Sequence, residues 1–272
     1  MQIGWYPGHM NKARKHITQS LKIVDGIIEI VDARIPRSSE NPMLHEIIGD
    51  KPLLKLLNKA DLADADITSD WIEHYRNTGV DCEAVRKDQP GTIHEAVQRH
   101  FKAIRKRRPP TRLMIVGIPN VGKSTLLNII ADRKIAKVGN EPAVTKGQQE
   151  IYLSKDVCLI DTPGILWPKL EDQQAAYKLA ITGAIKNTAL EIEDIAIEAA
   201  SIFAHYYPHR IKERFEIDVS GHTPQSLLEA MGRKRGCLRK GGVDFNKAGE
   251  MLLNEIRSGK LGRISLDQPA SV

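Results

Sequence analysis

The chain has 272 residues, 41% of them hydrophobic and 27% charged, enough length and apolar content for one large domain or for a medium domain with a small companion. No apolar run is long enough to cross a bilayer, and the three cysteines, Cys82, Cys158 and Cys237, have neither the density of a disulfide framework nor the spacing of a zinc site, so reduced thiols are expected. A formal charge of +6 favours a polyanionic partner without requiring one.

The opening MQIGWYPGHM holds no signal-peptide core and no myristoylation glycine, and QPASV is not a prenylation box, so a cytoplasmic protein with no membrane attachment is expected. Met10, Ala13, Ile17 and Leu21 recur at helical spacing while Lys12, Arg14 and Lys15 fall on other faces, which predicts a basic amphipathic helix over about 10–22. Short apolar runs at 27–31, 53–57 and 112–117, separated by helix-like stretches at about 68–78 and 91–106, predict parallel strands with crossover helices, and GVDCEAV at 79–85 reads as a further strand. The stretch 134–148 lacks periodicity and carries Gly and Pro, so it reads as a long loop. QEIYL and VCLID then close around SKD as a hairpin. Beyond DTPGILWP the texture is helical: Ile195, Ala199, Ile202 and Tyr206 form one stripe, Thr223 and Pro224 open a helix that stops at Gly232, and Phe245, Leu252 and Ile256 mark a last one. Two domains are expected, 1–175 as an α/β domain with a mostly parallel sheet flanked by helices and 176–272 as a small all-α domain.

Gly117 to Ser124, GIPNVGKS, fits the phosphate-loop pattern and lies between a strand and a helix. Glycines let the backbone curl so that the N–H groups of Asn120, Val121, Gly122, Lys123, Ser124 and Thr125 point at phosphates, Lys123 reaches the outer ones, and Ser124 offers its hydroxyl to Mg2+. Asp161, ending an apolar strand, suits a carboxylate that holds the metal, and Gly164 supplies an N–H that senses the terminal phosphate. Asn58, Lys59 and Asp61 of NKAD point to guanine: the Asp61 carboxylate accepts from N1–H and the 2-amino group, donors that adenine lacks, and the Lys59 stem lies along the ring. Ala84 with Val85 is the nearest match to the backbone segment that faces the guanine oxygen. The guanine segment precedes the phosphate loop, which is the order of a circular permutation.

With WYPGHM, VDARIP, NKAD, GIPNVGKS, DTPGILWPK, TGAIK and KRGCL in place over nearly the whole chain, the sequence resembles the circularly permuted GTPases, and among them the bacterial ribosome biogenesis GTPase A family. The resemblance implies a P-loop GTPase fold, GTP and GDP as ligands with Mg2+, and a partner in the maturing large (50S) subunit and its rRNA, without DNA. It also implies hydrolysis stimulated by that particle. A monomer is expected when free. PAVTKGQ departs from the usual switch sequence and leaves Thr145 as the residue for magnesium and the terminal phosphate. Ile165 stands where many GTPases carry a water-orienting glutamine, so unaided turnover is expected to be slow and His9, beside Gly8 in the N-terminal arm, is the candidate to position water. Asn120 is the candidate to accompany a K+ ion. Basic concentrations at Lys12, Arg14 and Lys15, and at Arg233, Lys234, Arg235, Arg239 and Lys240, are candidate RNA contacts, whereas RKRR at 105–108 reads as a linker. A GTPase of tRNA modification or translation control, and a GTP-dependent ribosome-binding scaffold with negligible turnover, are the competing readings.

Overall fold

The computed structural model describes residues 17–104, 110–132, 149–153, 155–161, 172–185 and 191–269. It divides into two compact units: Met1–Glu171 with Asp267–Val272, and Asp172–Leu266. The expectations placed on His9, Lys12, Arg14, Lys15, the 105–108 run, Thr145, Gly164 and Ile165 lie outside the described residues.

The first unit is built on a six-stranded sheet, β1 (Gly26–Asp32), β2 (Leu53–Asn58), β3 (Asp81–Ala84), β4 (Thr111–Gly117), β5 (Gln149–Tyr152) and β6 (Val157–Asp161), in the order β3-β2-β1-β4-β6-β5. All neighbours pair in parallel except β5, which pairs antiparallel with β6 at the edge, as the hairpin pattern predicts. β1 and β2 are buried along their whole length, which explains near-continuous apolar runs rather than alternation. Between them come α1 (Pro36–Ser39) and α2 (Pro42–Ile47). α3 (Ala65–Asn77) starts where the Asp64 carboxylate accepts from the N–H groups of Asp66 and Ile67, and it lays Trp71 and Tyr75 on the sheet. α4 (Pro90–Phe101) opens on proline, and α5 (Lys123–Ile130) opens directly after Gly122.

The two charges inside these apolar strands are one pair: Glu29 and Lys55 face each other in register, Nζ to Oε2 at 3.1 Å. Lys55 also meets Glu40 and lies 4.2 Å from the centre of the Tyr75 ring. Burial works against the Lys55 charge, but the two carboxylates outweigh it and hold the amine above its usual value. Cys82, Cys158 and Cys237 are free and buried, and burial pushes the Cys82 thiol up to about 12.

The last residues do not belong to the helical unit. Asp267 is buried in the first unit, where its carboxylate accepts from Ser38 N–H (2.7 Å) and Ser38 Oγ–H (2.9 Å), and its carbonyl accepts from the Trp71 indole at 3.2 Å. A capping carboxylate on α1 is what draws the chain end there.

The second unit holds α6 (Gln173–Thr182), α7 (Ile192–Tyr206), α8 (Pro208–Phe215), α9 (Pro224–Lys234) and α10 (Phe245–Arg257). It is not purely helical, because Leu238–Arg239 and Gly242–Val243 form a short antiparallel pair. The α7 stripe is rotated from the predicted one. Ile195, Ala196, Ala199, Ala200 and Phe203 face inward, while Tyr206, one turn beyond Phe203, is 58% exposed. Thr223 caps α9 by accepting from Ser226 N–H at 3.2 Å, and the helix runs past Gly232 to Lys234.

Candidate functional site

Strand register brings the sequence motifs to one edge. Asp32 pairs with Asn58 across β1 and β2, Ile30 pairs with Gly117 across β1 and β4, and Ile115 pairs with Asp161 across β4 and β6. All lie at or near the carboxyl ends of parallel strands, where open α/β sheets bind ligands.

The loop after β4 is shaped by its glycines. A Cβ on Gly117 would lie 2.7 Å from the Ile30 carbonyl, so this residue lets the loop leave against β1. Gly122 sits at φ +97 and ends the loop into α5, and Asn120 also takes a left-handed backbone at φ 59. Two side chains from the NKAD segment hold this loop. Asn58 Nδ2 donates to the Val121 carbonyl at 2.7 Å, and Lys59 Nζ donates to the Asn120 carbonyl at 3.0 Å. Segments more than sixty positions apart are thereby joined by hydrogen bonds, 63 and 61 residues in separation.

At the phosphate-loop end, Lys123 Nζ lies 2.5 Å from Asp161 Oδ1, and both groups are buried. Ser124 follows in the first turn of α5, half-buried, with Thr125 beside it. The set offers an ammonium and helix N–H groups for phosphate oxygens, and a carboxylate with a neighbouring hydroxyl for a hard divalent cation. No cluster of three or more metal-ligating His, Cys, Asp or Glu occurs among the described residues.

Asp32 is a member of this site that sequence reading passes over. Its carboxylate is fully buried and takes Arg34 in two contacts, Nε to Oδ1 at 3.0 Å and Nη2 to Oδ2 at 2.8 Å, while Lys59 Nζ lies 2.8 Å from Oδ2. Burial alone would raise its pKa; the charges of Arg34 and Lys59 win and hold the carboxyl far below the usual carboxylate range. The Asp32 N–H is received by Ser39 Oγ at 2.9 Å. The signal in the sequence was a carboxylate ending an apolar strand two residues before an arginine. Asp61 is half-buried beyond Lys59, and its charge is felt at Arg34.

The guanine-oxygen segment differs from expectation. Ala84 is the last residue of β3, and Val85 spends its N–H on the Leu57 carbonyl at 2.9 Å and receives Ala60 N–H at 3.3 Å. Continuation of the β2–β3 ladder by one residue consumes the donor, so the first N–H beyond the ladder is that of Arg86.

In the helical unit the basic run is largely self-neutralised. Arg233 pairs with Glu229 at 2.6 Å, Lys234 with Glu216 at 3.0 Å, and Arg235 approaches Glu255 at 3.6 Å and packs over Phe215. Arg239, which ends the first of the two short strands, and Lys240, on the turn that follows it, are exposed and have no acidic partner among the described residues.

A family described as 50S ribosome-binding GTPase matches residues 112–219. Over its full length the chain is 45% identical to the ribosome biogenesis GTPase A of Priestia megaterium, covering 99% of this chain and 98% of that one. The chain belongs to the ribosome biogenesis GTPase A family. The relative of the same name from Thermotoga maritima is 32% identical, covering 99% of this chain and 96% of that one. Two solved structures of T. maritima YlqF, one GDP-bound and one GNP-bound, share 29% identity and a TM-score of 0.72 with this chain; they cover 94% and 96% of it and 99% and 100% of their own chains. The protein therefore has the circularly permuted P-loop GTPase fold, with GTP, GDP and Mg2+ as its family's ligands. The 50S ribosome-binding GTPase match begins at Arg112 because β1 to β3, which carry the guanine segment, come before the phosphate-loop strand in this permuted order. No helix among the described residues is long and apolar enough to cross a membrane.

Proposed function

We propose that this GTPase serves late assembly of the large ribosomal subunit, binding precursor particles in its GTP state and leaving them after hydrolysis that the particle stimulates. The observation that carries the reading is the pair of hydrogen bonds, Asn58 to Val121 and Lys59 to Asn120, that joins a guanine-type segment to a phosphate loop at one sheet edge. The family membership supports ribosome biogenesis as the setting.

In this reading Asp61 accepts from the guanine N1–H and 2-amino groups, Lys59 lays its stem along the base, and Asn58 ties the two segments. The Arg86 N–H, rather than that of Val85, faces the guanine oxygen, because the latter is bonded to Leu57. N–H groups from Asn120 to Thr125 and the Lys123 ammonium take the phosphates. Ser124 and Asp161, joined by Thr145, hold Mg2+, which when bound neutralises charge on the phosphates. Gly164 senses the terminal phosphate and His9 positions water. Asn120 would accompany K+, which would supply positive charge to the phosphates as charge develops on them. Arg239 and Lys240, with Lys12, Arg14 and Lys15 of the N-terminal arm, contact rRNA phosphates. The domain division is taken as a nucleotide unit and a helical RNA-binding unit, monomeric when free.

Sedimentation with precursor large-subunit particles tests it. Co-sedimentation with a non-hydrolysable GTP analogue and release with GDP are expected, together with faster phosphate release when particles are added, more so in K+ than in Na+. Nucleotide-independent binding, or phosphate release indifferent to the particle, would overturn the reading. His9→Ala should keep nucleotide affinity and lose the stimulated rate.

A further inference from the structure

We infer that Asp32 is a positioning residue for guanine-nucleotide binding, acting through Lys59. This rests on the assignment of Lys59 and Asp61 to the base. A lysine side chain has four rotatable bonds and a single point charge, so nothing in its own chemistry keeps it across a ring face. Here two anchors set it. Nζ bonds the Asn120 carbonyl at 3.0 Å and the Asp32 carboxylate at 2.8 Å, and the backbone of Lys59 is itself left-handed at φ 62. A neutral carbonyl contributes little against the freedom of the side chain, whereas a fully buried carboxylate makes a charge-assisted bond in a low dielectric. The ion pair with Asp32 is therefore the stronger of the two anchors.

The remaining contacts show how a bare carboxylate is kept ionised and aimed. Arg34 grips it in two contacts, and Ser39 Oγ receives its backbone N–H, which sets the end of β1. With Arg34 occupying Oδ1 and sharing Oδ2, the Oδ2 lone pair directed at Lys59 is the one left for it. Asp32 touches no part of the base in this arrangement; it fixes the group that does.

The test is a double-mutant cycle read with a fluorescent GDP on the full chain. Asp32→Asn alone would strand the Arg34 charge, so the variant is Asp32→Asn with Arg34→Gln, which removes both charges of the buried pair together; thermal denaturation verifies that it is folded. It should bind roughly ten- to a hundredfold more weakly, the range for a lost charge-assisted hydrogen bond, and Lys59→Met should lose a similar factor. Combined, the three substitutions should be within about threefold of Lys59→Met, because the effect of Asp32 passes through that lysine. The preference for GDP over inosine diphosphate, which reports on Asp61, should stay as in the wild type. Affinity like the wild type in the double variant, losses that multiply when Lys59→Met is added, or a fallen GDP preference would each overturn the inference. A wild-type protein with no preference for guanosine over adenosine diphosphate would instead sink the base assignment beneath it. If the double variant does not fold, Lys59→Arg decides: its longer planar head should reach the same carboxylate and recover most of the affinity lost in Lys59→Met, and failure to recover any would count against Asp32.

Discussion

Substituting Gly122 by alanine should weaken the fold itself, before any nucleotide is considered. The residue sits at φ +97, where a side chain costs about 1–2 kcal/mol in backbone strain. A Cβ built there would lie 2.3 Å from Asn58 Nδ2, the atom that donates to the Val121 carbonyl at 2.7 Å. The amide has to move, and a buried donor or acceptor left unpaired costs about 1–3 kcal/mol. The sum is about 2–5 kcal/mol, which for a unit of this size lowers Tm by roughly 4–20 °C. Gly79 is the control: it has φ +81 but nothing within 4 Å of the added carbon, so Gly79→Ala reports strain alone, about 1–2 kcal/mol. Thermal unfolding of both variants, free of nucleotide, isolates the steric part. In an Asn58→Ala background the excess cost of Gly122→Ala should shrink, because the clashing amide is gone. Equal losses at Gly122 and Gly79 would refute the idea that Asn58 locks the guanine segment to the phosphate loop.

Other consequences can be checked separately. Asp267→Ala removes the acceptor of both Ser38 bonds, and chemical denaturation should show a loss of about 1–3 kcal/mol in the nucleotide unit, although the substituted position lies near the chain end. In the helical unit, hydrogen bonds from Arg214 at 2.7 and 2.8 Å lead the effects that hold the Glu255 carboxyl below its ordinary value of 4.5, with burial opposing them. A lowered folded pKa means that this stabilisation is present above about pH 4.5 and is lost as pH falls through the depressed value, so Glu255→Gln should flatten the acid limb of a stability profile taken from pH 7 to 3. Charge reversal at Arg239 or Lys240 should weaken binding to large-subunit particles and reduce the slope of log affinity against log salt by about 0.7–0.9 per contact. Reversal at Arg233, already paired with Glu229 at 2.6 Å, should do less.

What the sequence allowed one to read follows from which interactions are local. β1 and β2 were legible because burial along their whole length leaves near-continuous apolar runs, and GIPNVGKS was legible because glycine spacing encodes the loop directly. Asp32 was not, since its partner Lys59 becomes its neighbour only when β1 and β2 pair in register, and the adjacent Arg34 alone does not mark a buried site. The same holds for Glu29 and Lys55, charged residues that look like interruptions until they are seen to face each other. That the Val85 N–H is spent on Leu57 was not legible, because a strand's last hydrogen bond is invisible in composition, and one residue of ladder decides whether an N–H is offered or consumed. Tyr206 was assigned inward by a stripe that also fits the neighbouring helical face; the alanines beside it, Ala196 and Ala200, are small enough for close approach and define the buried side instead. Asp267 carries no pattern at all, and its place depends on a helix start more than two hundred residues earlier, 229 positions from Ser38.

Topology supplies an argument for the site that does not use the motifs. From β1 the chain moves outward to β2 and β3 on one side of the sheet, whereas from β4 it goes to the edge strand β5 and back to β6 on the other. β1 and β4 are neighbours whose outgoing connections diverge, and such a switch point leaves a crevice at the carboxyl ends of the strands. Asp32 ends one of these strands and the phosphate loop leaves the other, with Asn58 and Asp161 one strand further out on either side. Permuting the chain changes which loops join the strands and leaves the order of the strands in space untouched, so the crevice stays where it was. That is why the NKAD segment can precede the phosphate loop in sequence and still meet it through the hydrogen bonds from Asn58 to Val121 and from Lys59 to Asn120.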